Sequence, residues 1–227
     1  MELHTLSTGS IGNCYILSDN DGNSLVLDAG VKANDIKKAL NFDFSNVDGV
    51  LISHSHKDHC LSADALETYG LDVWRPYLIE NGRDRRTFGK WAVQSFDLPH
   101  DGCPNCGFYI KHINGFKMLY LTDLEYCKYN FRKQMVETIL IEVNWQAKYL
   151  ETAAVNYRHK VLGHLSLENC IDFLKANKTG ALQRVIICHM SGYTMDVSEC
   201  VSEIKRELPD IFVFAAEKGR VNKFDFD

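Results

Sequence analysis

The first half of the chain alternates short apolar runs with turn residues, a pattern that predicts β-strands joined by tight connections. Two runs, Asn13–Ser18 and Ser24–Asp28, flank the turn-rich segment DNDGN and predict a hairpin. A third run, Gly49–Ser53, leads directly into the polar segment HSHKDH. Helices are predicted after Asn34 (DIKKALN) and after Ser62 (ADALETY), because both residues are good N-caps.

Strand-like runs return in the middle of the chain, over 91–96, 108–113 and 116–121. The pair Asn114–Gly115 between the last two predicts a type I′ hairpin. Further on, strands at 138–143, 185–188 and 211–215 alternate with helices at 167–177 and 197–208, the first of which Ser166 can cap. This pattern alone leaves the α/β and α+β classes open, and helices in both halves favour an αββα sandwich. With no repeat or linker, one domain covering 1–227 is expected.

Composition narrows the class of protein. Hydrophobic residues make up 45% and charged residues 24%, ordinary values for a soluble enzyme. An apolar run of about 18 residues, as a membrane span needs, is absent. The start MELHTLSTGSIGN does not resemble a secretory signal, so we expect a cytoplasmic protein with reduced cysteines. The net charge of −5 argues against a broad surface for long duplex DNA, although bound metal ions could still attract a phosphate.

The histidines give the strongest chemical signal. His54, His56 and His59 lie within HSHKDH together with Asp58, directly after a predicted buried strand. Residues two apart in an extended segment point the same way, so His54 and His56 can bind one ion. Asp58 and His59 can reach a second ion once the chain turns. Imidazoles and a carboxylate suit zinc, manganese or iron better than calcium. A solvated loop with chance histidines is the alternative, and four such residues after one strand count against it.

HSHKDH matches the H-x-H-x-D-H signature of the metallo-β-lactamase superfamily, and the segments LVLDAG, LPHDG, LYLTDLEY and VIICHMS resemble its other motifs in order. The resemblance implies a four-layer αββα fold in the α+β class and two divalent metal ions, Zn or Mn. It also implies seven ligands: His54, His56 and His100 for one ion, Asp58, His59 and His189 for the other, and Asp123 as the bridge. Taken alone, His100 and His189 would be read as structural histidines. Asp28 is expected to orient a ligand histidine, or else to be a turn residue.

The opening LSTGSIGNCYIL resembles that of small bacterial and phage proteins of this superfamily, whose characterised relatives are DNA exonucleases. LIEVNW and GHLSLENC resemble both that group and the tRNA 3′-processing ribonucleases, which pair a strand glutamate with a histidine near the scissile phosphate. Glu142 and His164 hold those places here. The resemblance implies that His164 protonates the leaving group while Glu142 holds it, and that Asp58 positions the attacking water. The alternative is that Glu142 only ends a strand and His164 only caps a helix.

These resemblances imply a dinuclear metal-dependent hydrolase that cleaves phosphodiester bonds by a metal-activated hydroxide, first of all a DNA or RNA exonuclease. A cyclic-nucleotide phosphodiesterase, as in phage immune evasion, stays open because a long arm for gripping tRNA is missing from the sequence. A thiolester or lactam hydrolase and an inactive metal-binding module are further alternatives. The expected partner is a nucleic acid end or a cyclic nucleotide, not a membrane, and a homodimer is left open.

Other candidate residues carry weaker signals. Cys103-Pro104-Asn105-Cys106 is a single CxxC without a second ligand pair, so it is interpreted as a turn rather than a zinc site. His4, His112 and His159 lack the context of a metal ligand and are expected to be surface or structural residues.

Overall fold

The computed structural model describes residues 1–150 and 156–224. Within these ranges the chain forms two β-sheets and seven α-helices. The strands are β1 (Glu2–Ser7), β2 (Cys14–Ser18), β3 (Ser24–Leu27), β4 (Val47–Leu51), β5 (Val73–Trp74), β6 (Arg85–Phe88), β7 (Trp91–Leu98), β8 (Asn105–His112), β9 (Lys117–Leu121), β10 (Thr138–Glu142), β11 (Arg184–Cys188), β12 (Phe212–Ala215) and β13 (Val221–Lys223). The helices are α1 (Ala33–Ala39), α2 (Lys57–Cys60), α3 (Ala63–Thr68), α4 (Ala147–Leu150), α5 (Tyr157–Gly163), α6 (Leu167–Asn177) and α7 (Val197–Glu207).

Each sheet combines an antiparallel and a parallel part. The first sheet has the order β13-β1-β2-β3-β4-β5, and its strands β3, β4 and β5 run parallel. The second has the order β12-β11-β10-β9-β8-β7-β6, with β9 to β12 parallel. The carboxyl ends of parallel strands meet at one edge of a sheet, which is where α/β proteins commonly place their chemistry.

Three apolar clusters show how the layers pack. One fills the space between the sheets and includes Leu27 and Tyr120. A second joins the outer face of the second sheet to α6 and α7, through residues such as Leu174 and Ile204. A third joins the outer face of the first sheet to α1 and α3, through residues such as Ile36. The order helix, sheet, sheet, helix confirms the predicted four-layer αββα sandwich, whereas one domain over 1–227 stays a prediction.

Several local expectations need correction. The hairpin at Asn114–Gly115 exists, but type I′ is wrong because that turn needs positive φ at both residues and only Gly115 has it, at 103°. Helix α1 begins after Lys32 rather than after Asn34, and Ser62 precedes α3 with its hydroxyl bonded to Val31 O instead of capping the helix. Ser166 does cap α6, since its side chain accepts a hydrogen bond from Asn169 N.

The structure also adds elements that the apolar pattern did not predict. Strands β1, β6 and β13 and the helix α5 are among them. None of the helices in the described ranges is both long and apolar enough to cross a membrane.

Candidate active site

The predicted site residues converge where the strands end. His54 follows β4, Asp123 follows β9 and His189 follows β11. Asp123 and His189 have left-handed backbone conformations, with φ of 50° and 47°, and so does Asp28 after β3, with φ of 57°. Such a conformation costs a residue other than glycine about 1–3 kcal/mol and is concentrated at functional sites, where the surrounding structure holds it. Asn105 helps to hold the turn at Asp123, because its side-chain amide donates to the carbonyl oxygens of Thr122 and Asp123.

Three overlapping groups of potential metal ligands all contain Asp123; two of them match the predicted sets, and the third joins Asp123 and His189 to Glu142 and His164. In each, one ligand atom from every residue lies within 4.8 Å of the others. The first cluster contains His54, His56, His100 and Asp123, and the second contains Asp58, His59, Asp123 and His189. All seven residues that the sequence assigns to metal binding are therefore brought together, in the two sets that the resemblance implies.

The carboxylate of Asp123 faces both clusters. Its Oδ2 lies 3.6 Å from Nε2 of His54 and 3.8 Å from Nε2 of His100. Its Oδ1 lies 3.3 Å from Nε2 of His59 and 3.1 Å from Nδ1 of His189. One oxygen towards each cluster is the arrangement that a bridging carboxylate needs.

Buried acceptors orient the imidazoles. The Nδ1 of His59 lies 2.7 Å from Oδ2 of Asp28, and that carboxylate is itself held by Ser53 N at 2.7 Å and Tyr120 Oη at 2.6 Å. The Nδ1 of His100 lies 2.6 Å from the carbonyl oxygen of Gly163. A proton on Nδ1 leaves the Nε2 lone pair free to bind a metal. Asp28 thus lies where a residue that orients His59 must lie.

The charges of the site suit a cation. Burial lowers the pKa of His54 and of His100, so both rings stay neutral, as metal ligands must. Burial alone would also lower the pKa of His189, but Asp123, Asp58 and Glu142 raise it to about 10. In the same way Asp123 and Asp28 outweigh the burial of His59 and raise its pKa well above the usual value. The carboxylates around His59 and His189 thus stabilise positive charge at the site.

The positions of the ring nitrogens also fit divalent metal ions. Nε2 of His54 is buried without a hydrogen-bond partner in the described part of the chain. Nε2 of His100 and Nδ1 of His56 lie 3.1 Å apart, close enough to bind one ion. An unpartnered buried nitrogen costs free energy unless something binds it, and an imidazole–carboxylate set is a usual site for zinc or manganese.

Glu142 and His164 form a pair beside the second cluster. Nδ1 of His164 lies 2.7 Å from Oε1 of Glu142, and Nδ1 of His189 lies 2.8 Å from the same oxygen. The other oxygen of Glu142 accepts from Leu124 N and Leu165 N. Burial alone would raise the pKa of Glu142, but His164 and His189 outweigh it and lower the pKa, so the side chain is a carboxylate. The contact with His189 is one that the sequence did not indicate.

These residues open onto a cavity of about 220 Å³. All but one of the residues that line it have polar side chains: Ser10, His56, Asp58, His100, Asp123, Asn144, His159, Lys160, His164, His189, Met190 and Ser191. His159, expected to lie outside the site, belongs to this wall, with Nδ1 3.0 Å from Oδ2 of Asp101. Sequence reasoning also missed Lys160 and Asn144. The one available signal was that Lys160 lies a helical turn before His164.

The CxxC segment does not join the site. Cys106 is buried on β8, where its thiol contacts the carbonyl oxygen of Gly82, and Cys103 lies in the preceding turn. Among the described residues, neither cysteine belongs to a cluster of potential metal ligands.

Comparison with known proteins agrees with the fold. The model of the metallo-β-lactamase superfamily matches residues 7–92. The chain is 25% identical to the exodeoxyribonuclease WalJ of Streptococcus pneumoniae over 219 residues, covering 82% of this chain and 80% of WalJ. It is 31% identical to the exodeoxyribonuclease YycJ of Bacillus anthracis over 150 residues, 56% of each protein.

Among solved structures, the metallo-β-lactamase fold protein YhfI from Bacillus subtilis superposes with a TM-score of 0.67 at 14% identity, over 97% of this chain and 98% of YhfI. The short form of human tRNase Z superposes with a TM-score of 0.64 at 14% identity, over the whole of both chains. The match of residues 7–92 to the family model and the superposition on YhfI agree that the chain has a metallo-β-lactamase fold.

Proposed function

We propose that this chain is a metal-dependent phosphodiesterase that removes nucleotides from the end of a DNA strand. The observation that carries the proposal is the buried Glu142–His164 pair, which lies 2.7 Å apart beside the two clusters. A positioned proton donor next to a metal centre is what an alkoxide leaving group needs. A thiolate leaves without such help. The names of the relatives WalJ and YycJ, both exodeoxyribonucleases, support DNA as the substrate.

The two clusters would hold two divalent ions, Zn or Mn. His54, His56 and His100 would bind one, Asp58, His59 and His189 the other, and Asp123 would bind both. Bound there, the ions would lower the pKa of a water nucleophile and neutralise charge on the phosphate oxygens.

Two side chains, Asp58 and His164, would position the attacking water and protonate the leaving group. Asp58 has a partly exposed carboxylate 3.5 Å from both His59 and His189, so it can accept a hydrogen bond from the attacking water and orient it. His164 is 8% exposed and lines the cavity. With Nδ1 held by Glu142, its Nε2 can give a proton to the leaving oxygen.

The proposal is tested with purified protein depleted of metal and reloaded with Mn²⁺ or Zn²⁺. Linear single-stranded DNA, the same DNA as a closed circle, RNA and a chromogenic lactam are compared. We expect mononucleotides from linear DNA, no cut in the circle, and no activity without metal. Asp123→Asn is the negative control, since it weakens both clusters. Cleavage of the circle would exclude an exonuclease, and hydrolysis of the lactam alone would exclude a phosphodiesterase.

A cyclic-nucleotide phosphodiesterase is the second candidate, favoured by the small cavity of about 220 Å³. Such a volume lies below the range of roughly 300–1,000 Å³ that is usual for ligand pockets, so it suits a substrate of about one nucleotide unit rather than a duplex. Adding cyclic mono- and dinucleotides to the same assay separates the two functions. A kcat/KM on a cyclic nucleotide well above that on linear DNA would favour this candidate.

A further inference from the structure

Lys160 is a cation in an unusual environment. It lies on α5, half-buried in the wall of the cavity. Its Nζ donates to Oδ1 of Asn144, and no carboxylate of the described residues lies within ion-pair distance of it. A partly desolvated ammonium without a carboxylate partner is costly. Among the described residues that line this cavity, Lys160 is the one lysine, and no arginine is present.

The contacts of Lys160 place it between the two parts of the site. Asn144, which it holds, donates from Nδ2 to the carbonyl oxygen of His189 at 2.7 Å. The carbonyl oxygen of Lys160 accepts from His164 N at 3.1 Å. Lys160 is thus adjacent to a member of the second cluster on one side and to the Glu142–His164 pair on the other.

We propose that Lys160 binds a non-bridging oxygen of the phosphate that is cleaved. An ammonium has three N–H donors, and Asn144 takes one, so two remain for an anion. A phosphodiester carries its negative charge on these oxygens, whereas a lactam or thiolester is neutral at the reacting carbonyl. This inference rests on the proposed function and deepens it. It makes Lys160 on α5 the residue that favours phosphodiesters over lactams and thiolesters.

The competing role for Lys160 is structural: its bond to Asn144 could serve only to hold the backbone at His189. The two roles make different demands on the side chain. Glutamine at this position can still donate to Asn144 but has no charge, while arginine keeps the charge. Phosphate binding therefore requires that arginine functions and glutamine does not.

The experiment compares Lys160→Met, Lys160→Gln and Lys160→Arg with Lys38→Met, a control with the same loss of charge at an exposed position on α1. Binding of inorganic phosphate to Mn²⁺-loaded protein is measured by calorimetry, and kcat/KM is measured on bis(p-nitrophenyl) phosphate. Metal content is determined for every variant. Because phosphate binding needs no turnover, it tests Lys160 even in a protein that does not cleave DNA.

We expect Lys160→Met and Lys160→Gln to weaken phosphate binding by about 10–100-fold, the range for a hydrogen bond to a charged group. Lys160→Arg should stay within a few-fold of the native protein, and Lys38→Met should match it. Native affinity in Lys160→Gln would overturn the proposal in favour of the structural role. If phosphate binding depends on Lys160 but the protein cleaves no phosphodiester, the proposed function fails and the anion site stands.

Discussion

Nδ1 of His164 lies 2.7 Å from Oε1 of Glu142, and this contact fixes which ring nitrogen faces the cavity. Glu142 is a buried carboxylate and can only accept, so Nδ1 of His164 must carry the proton that it donates. When His164 takes up a second proton, that proton is on Nε2, at the cavity. A histidine held in this way can donate its Nε2 proton to a group in the cavity.

His164→Ala is expected to slow cleavage of an ordinary phosphodiester by about 10²–10⁴-fold, the usual range for a positioned general acid. A substrate with an acidic leaving group, such as a nitrophenyl ester, needs little protonation and should lose much less. Both rates are measured on one protein preparation, and metal content is determined as the control, because His164 also belongs to the third group of potential metal ligands. Equal losses on the two substrates would argue for a binding role instead.

Glu142→Gln should affect more than proton donation. From the sequence alone, Glu142 serves His164, whereas the structure adds the contact with His189 at 2.8 Å. A neutral amide cannot accept from both rings and both backbone N–H groups in the same way, so the second cluster loses an orienting partner. We expect a fall of about 10–100-fold in metal affinity, together with the leaving-group pattern of His164→Ala. Native metal affinity would show that the contact with His189 does not influence the metal site.

Asp58→Ala should abolish most turnover while the fold persists. The Asp58 side chain is 25% exposed and contacts His59 and His189 rather than the core. Its backbone oxygen, which accepts from Asn13 N at 2.7 Å, remains in the variant. We expect kcat to fall by about 10²-fold or more, because the nucleophile loses its positioning, with little change in thermal unfolding. Turnover near the native rate would remove Asp58 from the catalytic set.

The parts of the site that were predictable lie directly after apolar strands. Each of these apolar runs predicts a strand. The polar residues that follow it, namely HSHKDH, Asp123 or His189, indicate the chemistry at the end of that strand. Parallel pairing brings the ends of β9 and β11 to one edge of the second sheet, and packing of the two sheets against each other brings the end of β4 to the same place. The same holds for Ser166, whose cap depends only on residues next to it.

The parts that were missed depend on contacts between distant segments. His159 and Lys160 reach the cavity because Asp101 N donates to the carbonyl oxygen of Leu162, which fixes α5 against the turn after His100. Nothing in the local sequence indicates that contact. Asn13 is similar, since its side-chain amide lies 2.9 Å from Nε2 of His59 across 46 positions. The turn type at Asn114 was misassigned because hairpin geometry depends on the flanking register as well as on the turn residues.

Asp97 should make stability depend on pH well away from the site. Burial alone would raise the pKa of Asp97, but hydrogen bonds from Lys128, Tyr129 and Arg83 lower it to about 2. A lowered pKa stabilises the fold above the unfolded-state value of about 3.9, and this contribution is lost as the pH falls towards 2.

The Asp97 side chain is 32% exposed, so solvent screening limits its contribution to about 1 kcal/mol. Asp97→Asn should therefore lower the free energy of unfolding in urea at pH 7 by that amount. The difference from the native protein should shrink between pH of about 4 and 2. Asp210→Asn, at a side chain that is 83% exposed, is the control. A difference that stays constant with pH would show that charge is not the cause.

Gly30→Ala tests whether the loop 54–59 has room to move. A Cβ at Gly30 would lie 1.6 Å from the carbonyl oxygen of Asp58 and 2.8 Å from Asn13 N, both backbone atoms that cannot rotate away. The backbone must shift, and overpacking of this kind costs about 1–3 kcal/mol. Because Asp58 and His59 belong to the second cluster, we expect lower stability together with weaker metal binding at that cluster.

Gly180→Ala is the matched control, since a Cβ there meets no atom within 4 Å, and we expect its stability to change by less than about 0.5 kcal/mol. Neither glycine has a φ in the left-handed region, so the two variants differ in steric contact and not in backbone preference. Unfolding in urea and metal content are measured for both. If Gly30→Ala keeps native stability and binds both metals, the backbone at Asp58 can yield at low cost. The close approach of Gly30 would then not be what holds Asp58 and His59 in place.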